Sequence, residues 1–261
     1  MNGNSWREYS WHLIDGEPQP PAMHMALDEV LTQRVGARER PPTLRFWRWA
    51  APAVVLGRFQ SVRNEVDEEA AREHGIRVVR RMTGGGAMFV ETENVITYSI
   101  YAPPELVGGM SSVDSYAFLD EWVVKALRSL GIDAWYEPIN DITSSDGKIG
   151  GAAQARRPGA VLHHVTISYE IDAVKMLQVL RIGQEKVSDK AIQSVEKRIG
   201  PLRRQTQLPR EEIIQRMIST FAERNTESGL IEDRLSPEEL AEAKELARTK
   251  YGTQEWIYAL P

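Results

Sequence analysis

The sequence contains no cysteine. Disulfides, thiolate-ligated metals and a thiol nucleophile are therefore excluded. Long apolar runs are missing too: no stretch approaches the roughly 20 residues that a membrane-spanning helix needs. The first residues, among them Trp6-Arg7-Glu8-Tyr9, carry no apolar segment of the signal-peptide kind, so a cytoplasmic location is expected. Positive charge is not in excess: 32 Lys and Arg stand against 37 Asp and Glu, a net charge of -5. That balance gives no general attraction to nucleic acid. There is no HExxH, no nucleophile elbow, no Walker lysine after a glycine loop, and no internal repeat. What remains is ordinary for a soluble globular protein, 42% hydrophobic and 26% charged, and 261 residues suffice for one domain with a full core.

What is present begins with Arg80-Arg81-Met82-Thr83-Gly84-Gly85-Gly86-Ala87. Three consecutive glycines leave the backbone unshielded and free to reach positive φ, so a ligand can approach its N–H groups. Ile76-Arg77-Val78-Val79 before it and Val95-Ile96-Thr97-Tyr98-Ser99-Ile100 after it have the β-branched and aromatic content of strands. The glycines thus join two strands, with guanidinium groups at the mouth of the loop, which suits an anionic ligand such as a phosphate or carboxylate. Taken alone, the glycines fit a tight bulged hairpin equally well.

A second stretch changes that balance. Asn140-Asp141-Ile142 is followed by Asp146-Gly147-Lys148-Ile149-Gly150-Gly151-Ala152-Ala153-Gln154 and then Leu162-His163-His164-Val165-Thr166-Ile167-Ser168-Tyr169. This reads as a turn, a lysine entering a strand, then another turn and strand. Gly150 to Ala153 has almost no side-chain volume where a core strand wants bulk, which leaves space for a ligand or another backbone. Lys148 stands beside that space, a mobile point charge suited to a phosphate or a developing anion.

Helical spacing appears at 22–35, 64–75, 114–130 and 173–180. The segment 15–21 is a proline-rich loop, and 188–199, with Lys186, Lys190 and Lys197 near it, reads as a charged connector. A helix begins at Pro209 and reaches about Asn225; Ser236-Pro237-Glu238-Glu239 is a capping box that starts another, running to about Tyr251. Strands and helices do not alternate strictly, and the chain is mainly helical from about residue 172. The expected class is α+β, with a mixed or antiparallel sheet flanked by helices.

In order and spacing, RRMTGGGA, NDI, DGKIGGAAQ and LHHVTI resemble the lipoate–protein ligase family, which shares a fold with biotin–protein ligases and octanoyl transferases. The resemblance runs over nearly the whole chain. Ala22 to Glu29 looks like the family's first helix, Leu44 to Trp49 with Val54 to Gln60 like its first hairpin, and Leu246 to Trp256 like the close of its catalytic domain. It implies one catalytic domain over 1–261. Many members continue into a small accessory domain; a chain ending at Pro261 resembles those in which that domain is a separate polypeptide or missing.

The resemblance implies a reaction. Lipoate and ATP, with Mg²⁺, give lipoyl-AMP, and a lysine of a lipoyl carrier domain then takes the acyl group. The carrier is of the 2-oxoacid dehydrogenase E2 type or the glycine-cleavage H type. Lys148 matches the essential lysine. Arg81, and less directly Arg80, would hold the acyl or phosphate end. Gly84, Gly85 and Gly86 would line the cavity, Thr83 would donate a hydroxyl there, and Ala87 and Met88 would offer backbone to adenine. Asn140 would bond the nucleotide, and Asp141 would place Mg²⁺ or the ribose-phosphate. Gly151, Ala152 and Ala153 would form a flat wall, and His164 and Thr166 would lie near the nucleotide. The octanoyl transferases of this superfamily hold their acyl group on a cysteine, so a chain without one favours the adenylate route. Two alternatives stay open: a cysteine-independent octanoyl or lipoyl transferase between carrier proteins, and a non-catalytic subunit that binds the adenylate or the lipoyl domain. One departure stands out. Where the family has His-Asp after the apolar pair, this chain has Val90-Glu91.

Overall fold

The computed structural model describes residues 5–181, 189–227 and 229–260. Lys186 and Ser188, at the charged connector, lie outside the described residues. Eleven strands occur among them: β1 His12–Asp15, β2 Thr43–Trp47, β3 Ala53–Leu56, β4 Arg77–Arg80, β5 Met88–Val90, β6 Val95–Ala102, β7 Ala134–Glu137, β8 Asp141–Ser144, β9 Gly147–Arg157, β10 Ala160–Ser168 and β11 Ile231–Glu232. The helices are α1 Pro21–Gly36, α2 Val62–Glu65, α3 Glu68–Glu73, α4 Ser112–Ser129, α5 Ala173–Val179, α6 Asp189–Arg198, α7 Leu202–Gln205, α8 Arg210–Asn225, α9 Pro237–Leu246 and α10 Gln254–Ile257. None of the described helices is long and apolar enough to cross a membrane.

Eight strands form one mixed sheet in the order β11-β1-β2-β6-β10-β9-β8-β7, and β4-β3-β5 form a second. The class is α+β, as expected. In the large sheet β1 runs parallel to β2 and to β11, and the remaining pairs are antiparallel. All eight residues of β6 are buried. Its two faces serve two cores: Ile96, Tyr98 and Ile100 join the core that contains Trp122 and Leu127 of α4 and Met217 and Phe221 of α8. A second core gathers Met25, Leu27 and Val30 of α1 with Trp47, Val55, Val79 and Val90. The small sheet lies on this second side.

Two expectations from the sequence are corrected. The segments Leu44 to Trp49 and Val54 to Gln60 do not form a hairpin. β2 pairs with β1 and β6 in the large sheet, whereas β3 lies between β4 and β5 in the small one. Each has its edges satisfied by partners far away in sequence, so proximity along the chain does not decide the pairing. The helix expected over 64–75 is two short ones. Val66 leaves the helix to bridge Leu180, and the Asp67 carboxylate caps the second piece by accepting from Ala70 N at 3.0 Å. The connector around residues 189–198 is helical, with Ala191 and Val195 buried.

Candidate active site

A cavity of about 330 Å³ opens between the two sheets. Thr97 of β6, His164, Thr166 and Ser168 of β10, and Lys148 to Ala153 of β9 form one wall. Val55, Met88 and Phe89 of the small sheet and Gly85 to Ala87 form the other, while Met25 and Trp47 close it with apolar surface. The size falls within the range of small-molecule sites, and the lining has their usual character, largely apolar with a few convergent polar groups.

The glycine segment is not a tight hairpin. β4 and β5 flank β3 on opposite sides, so residues 81–87 cross over the end of β3 as a loop. Arg81 holds its shape from within. The buried guanidinium donates from Nη2 to Gly84 O at 2.6 Å and Gly86 O at 2.8 Å, from Nη1 to Val55 O at 3.0 Å, and from Nε to Thr83 Oγ1 at 3.0 Å. Burial lowers its pKa to about 10, so it stays charged at neutral pH. Gly85 has φ of 91°, and a Cβ on Gly57 would lie 2.0 Å from Gly85 O. Only glycine at 57 lets the loop sit this close to β3.

Arg80 faces elsewhere. It is fully buried, and its guanidinium donates to the carbonyls of Gly57, Arg58, Gln60, Trp256 and Ile257. It does not line the cavity, because its donors are taken up in tying the loop after β3 to the C-terminal turn. Thr83 is also buried, and its hydroxyl is bonded to His164 Nε2 at 2.8 Å. The hydroxyl is thus engaged inside the protein and does not line the cavity, whereas the sequence reading expects it to face a ligand.

Lys148 stands in an interior strand, between β8 and β10, with its side chain 48% exposed. A bulge puts it there. Ile142 pairs with Gly150 and Thr143 with Lys148, so β9 carries one extra residue. Regular alternation would place Lys148 and Gly151 on opposite faces; the extra residue brings them to the same one. Asp141, directly across from Gly151, then meets the Lys148 ammonium at 2.7 Å. A Cβ on Gly151 would lie 3.3 Å from Lys148 Nζ, so the missing side chain makes room for the lysine as well as for a ligand. Asn140 is stitched to the same strand: its amide donates to Ala152 O at 2.5 Å and its carbonyl accepts from Ala152 N at 2.8 Å. Among the described residues no three His, Asp or Glu side chains gather to hold a metal ion. Asp141 Oδ1 is engaged by Lys148, so Mg²⁺ there would rely on Asp141 together with substrate oxygens.

His164 lines the cavity and bonds on both ring nitrogens, to Thr83 and, through Nδ1, to Asp28 Oδ2 at 2.7 Å. Burial holds it neutral, below its ordinary pKa. Thr166 Oγ1 lies 3.2 Å from Thr97 Oγ1, and both side chains line the cavity. Of the sequence-predicted residues, the cavity brings together Arg81, Gly85, Gly86, Ala87, Met88, Asn140, Lys148, Gly151, Ala152, Ala153, His164 and Thr166. Gly84 adjoins them in the loop; its flank faces the exposed ring of Phe59. Sequence reasoning missed Met25, Trp47, Val55 and Glu170. Met25, Trp47 and Val55 are apolar and carry no chemical signature in the sequence, and Glu170 is a lone acid outside every motif.

Glu91, the departure from the family pattern, also lines the cavity. Its carboxylate accepts from Lys175 Nζ at 2.5 Å and from the Asn94 amide at 2.8 Å. The longer acid thus has a cation of its own, supplied by α5, and this bond raises the pKa of Lys175.

The comparisons with known proteins agree with this fold. Residues 20–222 match the model of the lipoyl protein ligase A/B catalytic domain. The octanoyltransferase LipM of Halalkalibacterium halodurans is 28% identical over 95% of this chain and 99% of its own length. Among solved structures, the bi-partite lipoate protein ligase of Thermoplasma acidophilum, studied with its E2 lipoyl domain, superposes with a TM-score of 0.83 at 29% identity. That match covers 97% of this chain and 98% of the other. A lipoate-protein ligase A bound with ATP gives 0.82 at 27%, over 97% of this chain and all of the other. By its family model, and with the likeness to solved lipoate protein ligase structures, the chain belongs to the lipoyl protein ligase A/B catalytic domain family.

Proposed function

We propose that this protein passes an octanoyl or lipoyl group to the ε-amine of a lysine on a lipoyl carrier domain, without forming an acyl-enzyme. The observation that carries this reading is the Lys148 ammonium, paired with Asp141 at an apolar cavity under the glycine loop, in a chain that has no thiol. The name of its curated relatives supports an octanoyltransferase over an ATP-dependent ligase. Without a cysteine the transfer must then be direct. The acceptor amine attacks the acyl carbonyl carbon, a C–N bond forms, and the C–S bond of the donor carrier's thioester breaks. The thiolate leaves with the electron pair, and the amine's proton passes to it or to water.

Lys148 stabilises the negative charge that develops on the carbonyl oxygen, and the apolar walls keep water from competing with the amine. The N–H groups of the glycine loop are the second set of donors in reach of the cavity. Met25, Trp47 and Val55 suit the hydrocarbon part of the acyl group.

A second reading, the ATP-dependent ligase, is supported by the absent thiol and by the likeness to a ligase solved with ATP. In that reading the leaving group is AMP, a C–O bond breaks instead of C–S, and Lys148, Asn140 and Asp141 attend the α-phosphate with Mg²⁺. The acceptor is the same: a carrier domain of the E2 or H type, with a separate accessory chain where one is needed. The non-catalytic alternative has less support, because Lys148 lines the cavity and has Asp141 as its ion-pair partner. Either chemistry suits the cytoplasm.

The test is the intact mass of an apo lipoyl domain incubated with the protein and either octanoyl-loaded acyl carrier protein or lipoate, ATP and Mg²⁺. Mass gain with the first donor establishes the transferase; gain only with the second establishes the ligase. In both cases Lys148→Ala is expected to lower the rate by ~10²–10³, the usual cost of removing such a donor. Gain from neither donor, with lipoyl-AMP also failing, overturns the reading in favour of a binding subunit.

A further inference from the structure

Asp28, in α1, is 2% exposed and does not line the cavity, yet two walls of the cavity are hydrogen-bonded back to it. The first path runs from the glycine loop. Arg81 Nε donates to Thr83 Oγ1 at 3.0 Å, the Thr83 hydroxyl meets His164 Nε2 at 2.8 Å, and His164 Nδ1 meets Asp28 Oδ2 at 2.7 Å. The second runs from the floor. Trp47 Nε1 donates to Ser99 Oγ at 2.9 Å, and Ser99 Oγ donates to Asp28 Oδ1 at 2.9 Å. Tyr101 OH at 2.5 Å and Arg45 Nη2 at 3.2 Å complete the set around the carboxylate.

The direction of these bonds follows from one fact: an ionised carboxylate only accepts. His164 must therefore carry its hydrogen on Nδ1, which leaves Nε2 bare to accept the Thr83 hydroxyl. That turns the Thr83 lone pairs toward Arg81 Nε, a group that can only donate. The Ser99 hydroxyl, spending its hydrogen on Asp28, likewise offers its oxygen to the indole. Every hydrogen in both paths points toward Asp28. A change of tautomer at His164 would present two donors, Nε2–H and Arg81 Nε–H, to the same threonine oxygen and free its hydrogen.

We propose that Asp28 is a positioning residue, which fixes the glycine loop through His164 and Thr83 and the cavity floor through Ser99 and Trp47. This makes His164 a link in the support of the loop. The proposal rests on the acyl-transfer reading only in that the loop is where the acyl compound is held.

The test has a spectroscopic arm and a kinetic arm. In the ¹⁵N spectrum of the wild-type protein the His164 ring is expected to be neutral, with hydrogen on Nδ1. In Asp28→Asn, whose amide can donate, the ring is expected to change tautomer, and the backbone amide signals of Gly84 to Gly86 to move. Because Asp28→Asn also leaves Arg45 without its partner and can cost folding, Thr83→Val serves as the second variant: it keeps the shape and removes only the hydroxyl. Its kcat is expected to fall ~10-fold or more while KM for the carrier domain stays put, since small misplacement of a positioning group acts on the transition state. Thr83→Ser, which keeps the hydroxyl, restores kcat. A wild-type His164 with hydrogen on Nε2, or Gly84 to Gly86 signals indifferent to both Asp28→Asn and Thr83→Val, would overturn the proposal. So would a Thr83→Val enzyme with wild-type kcat. If the protein proves inactive with every donor, the spectroscopic arm still decides the question, and the failure then belongs to the acyl-transfer reading alone.

Discussion

At the scale of single residues, the site depends on what is left out as much as on what is present. Lys148 reaches Asp141 because position 151 has no side chain. Gly151→Val is therefore expected to displace the ammonium and lower kcat by ~10-fold or more, with the fold retained. Steady-state kinetics beside a circular dichroism melt check this: a normal melt with normal kcat contradicts it. The lysine and its small neighbours were legible in the sequence, since no core strand has reason to read Lys148-Ile149-Gly150-Gly151-Ala152-Ala153. The partners of Thr83 and His164 were not legible. Thr83 and His164 are 81 positions apart, and His164 and Asp28 are 136 apart, so only the folded chain brings them together. Arg80 and Arg81 look alike in sequence. They differ in structure because adjacent strand-end residues point to opposite sides, one into the glycine loop and one toward the C-terminal turn.

At the scale of elements, local signals located most helices and strands, while pairing between strands escaped them. The capping box at Ser236 was readable from four residues, and it is present as expected. Ser236 Oγ accepts from Glu239 N at 3.1 Å, and Glu239 accepts from Ser236 N at 2.8 Å. The helical path from Pro237 then continues through a π turn at Ala247–Tyr251, which matches the expected end. Ser236→Ala is expected to cost about 1 kcal/mol. In a protein of this size that lowers Tm by about 2–4 °C, which differential scanning calorimetry resolves. Glu239→Ala should cost more, because the same carboxylate holds the buried Arg40 at 2.6 Å. The hairpin expected from Leu44 to Gln60 was misread because both strands have the hydrophobic pattern of buried β-structure. Pattern alone does not say which of two sheets a strand joins.

At the scale of the whole molecule, several buried groups shift stability the same way with pH. Burial, helped by the charge of Arg45, lowers the pKa of His24 from 6.5 to about 3, and burial also lowers that of His164. Both are neutral in the folded protein, whereas in the unfolded chain they take up protons below about pH 6.5. The unfolded state thus binds more protons, and stability falls as pH falls. For His24 the slope approaches about 1.4 kcal/mol per pH unit between pH 6.5 and about 3, and His164 adds to the loss in the same direction. Asp28 extends the loss to lower pH. Burial opposes its charge, but His164, Arg45 and Tyr101 outweigh that and hold its carboxyl below the ordinary 3.8. Urea unfolding at pH 7.5, 6.5 and 5 should show flat stability across the first interval and a decline across the second. Equal stability at all three would contradict the assignment of His24 as neutral in the folded protein.

The five carbonyls around Arg80 have a consequence for how the protein comes into being. Two of them belong to Trp256 and Ile257, the latter 177 positions further along the chain. A ribosome delivers the glycine loop long before the turn at 256–257 that braces the residue leading into it. Until those residues emerge Arg80 is a buried-to-be cation with part of its acceptor set still unmade. Maturation of the site is thus coupled to the synthesis of residues 256 and 257: a polypeptide stalled or cut shortly before Trp256 would carry every residue of the cavity wall and still hold Arg80 without those two acceptors.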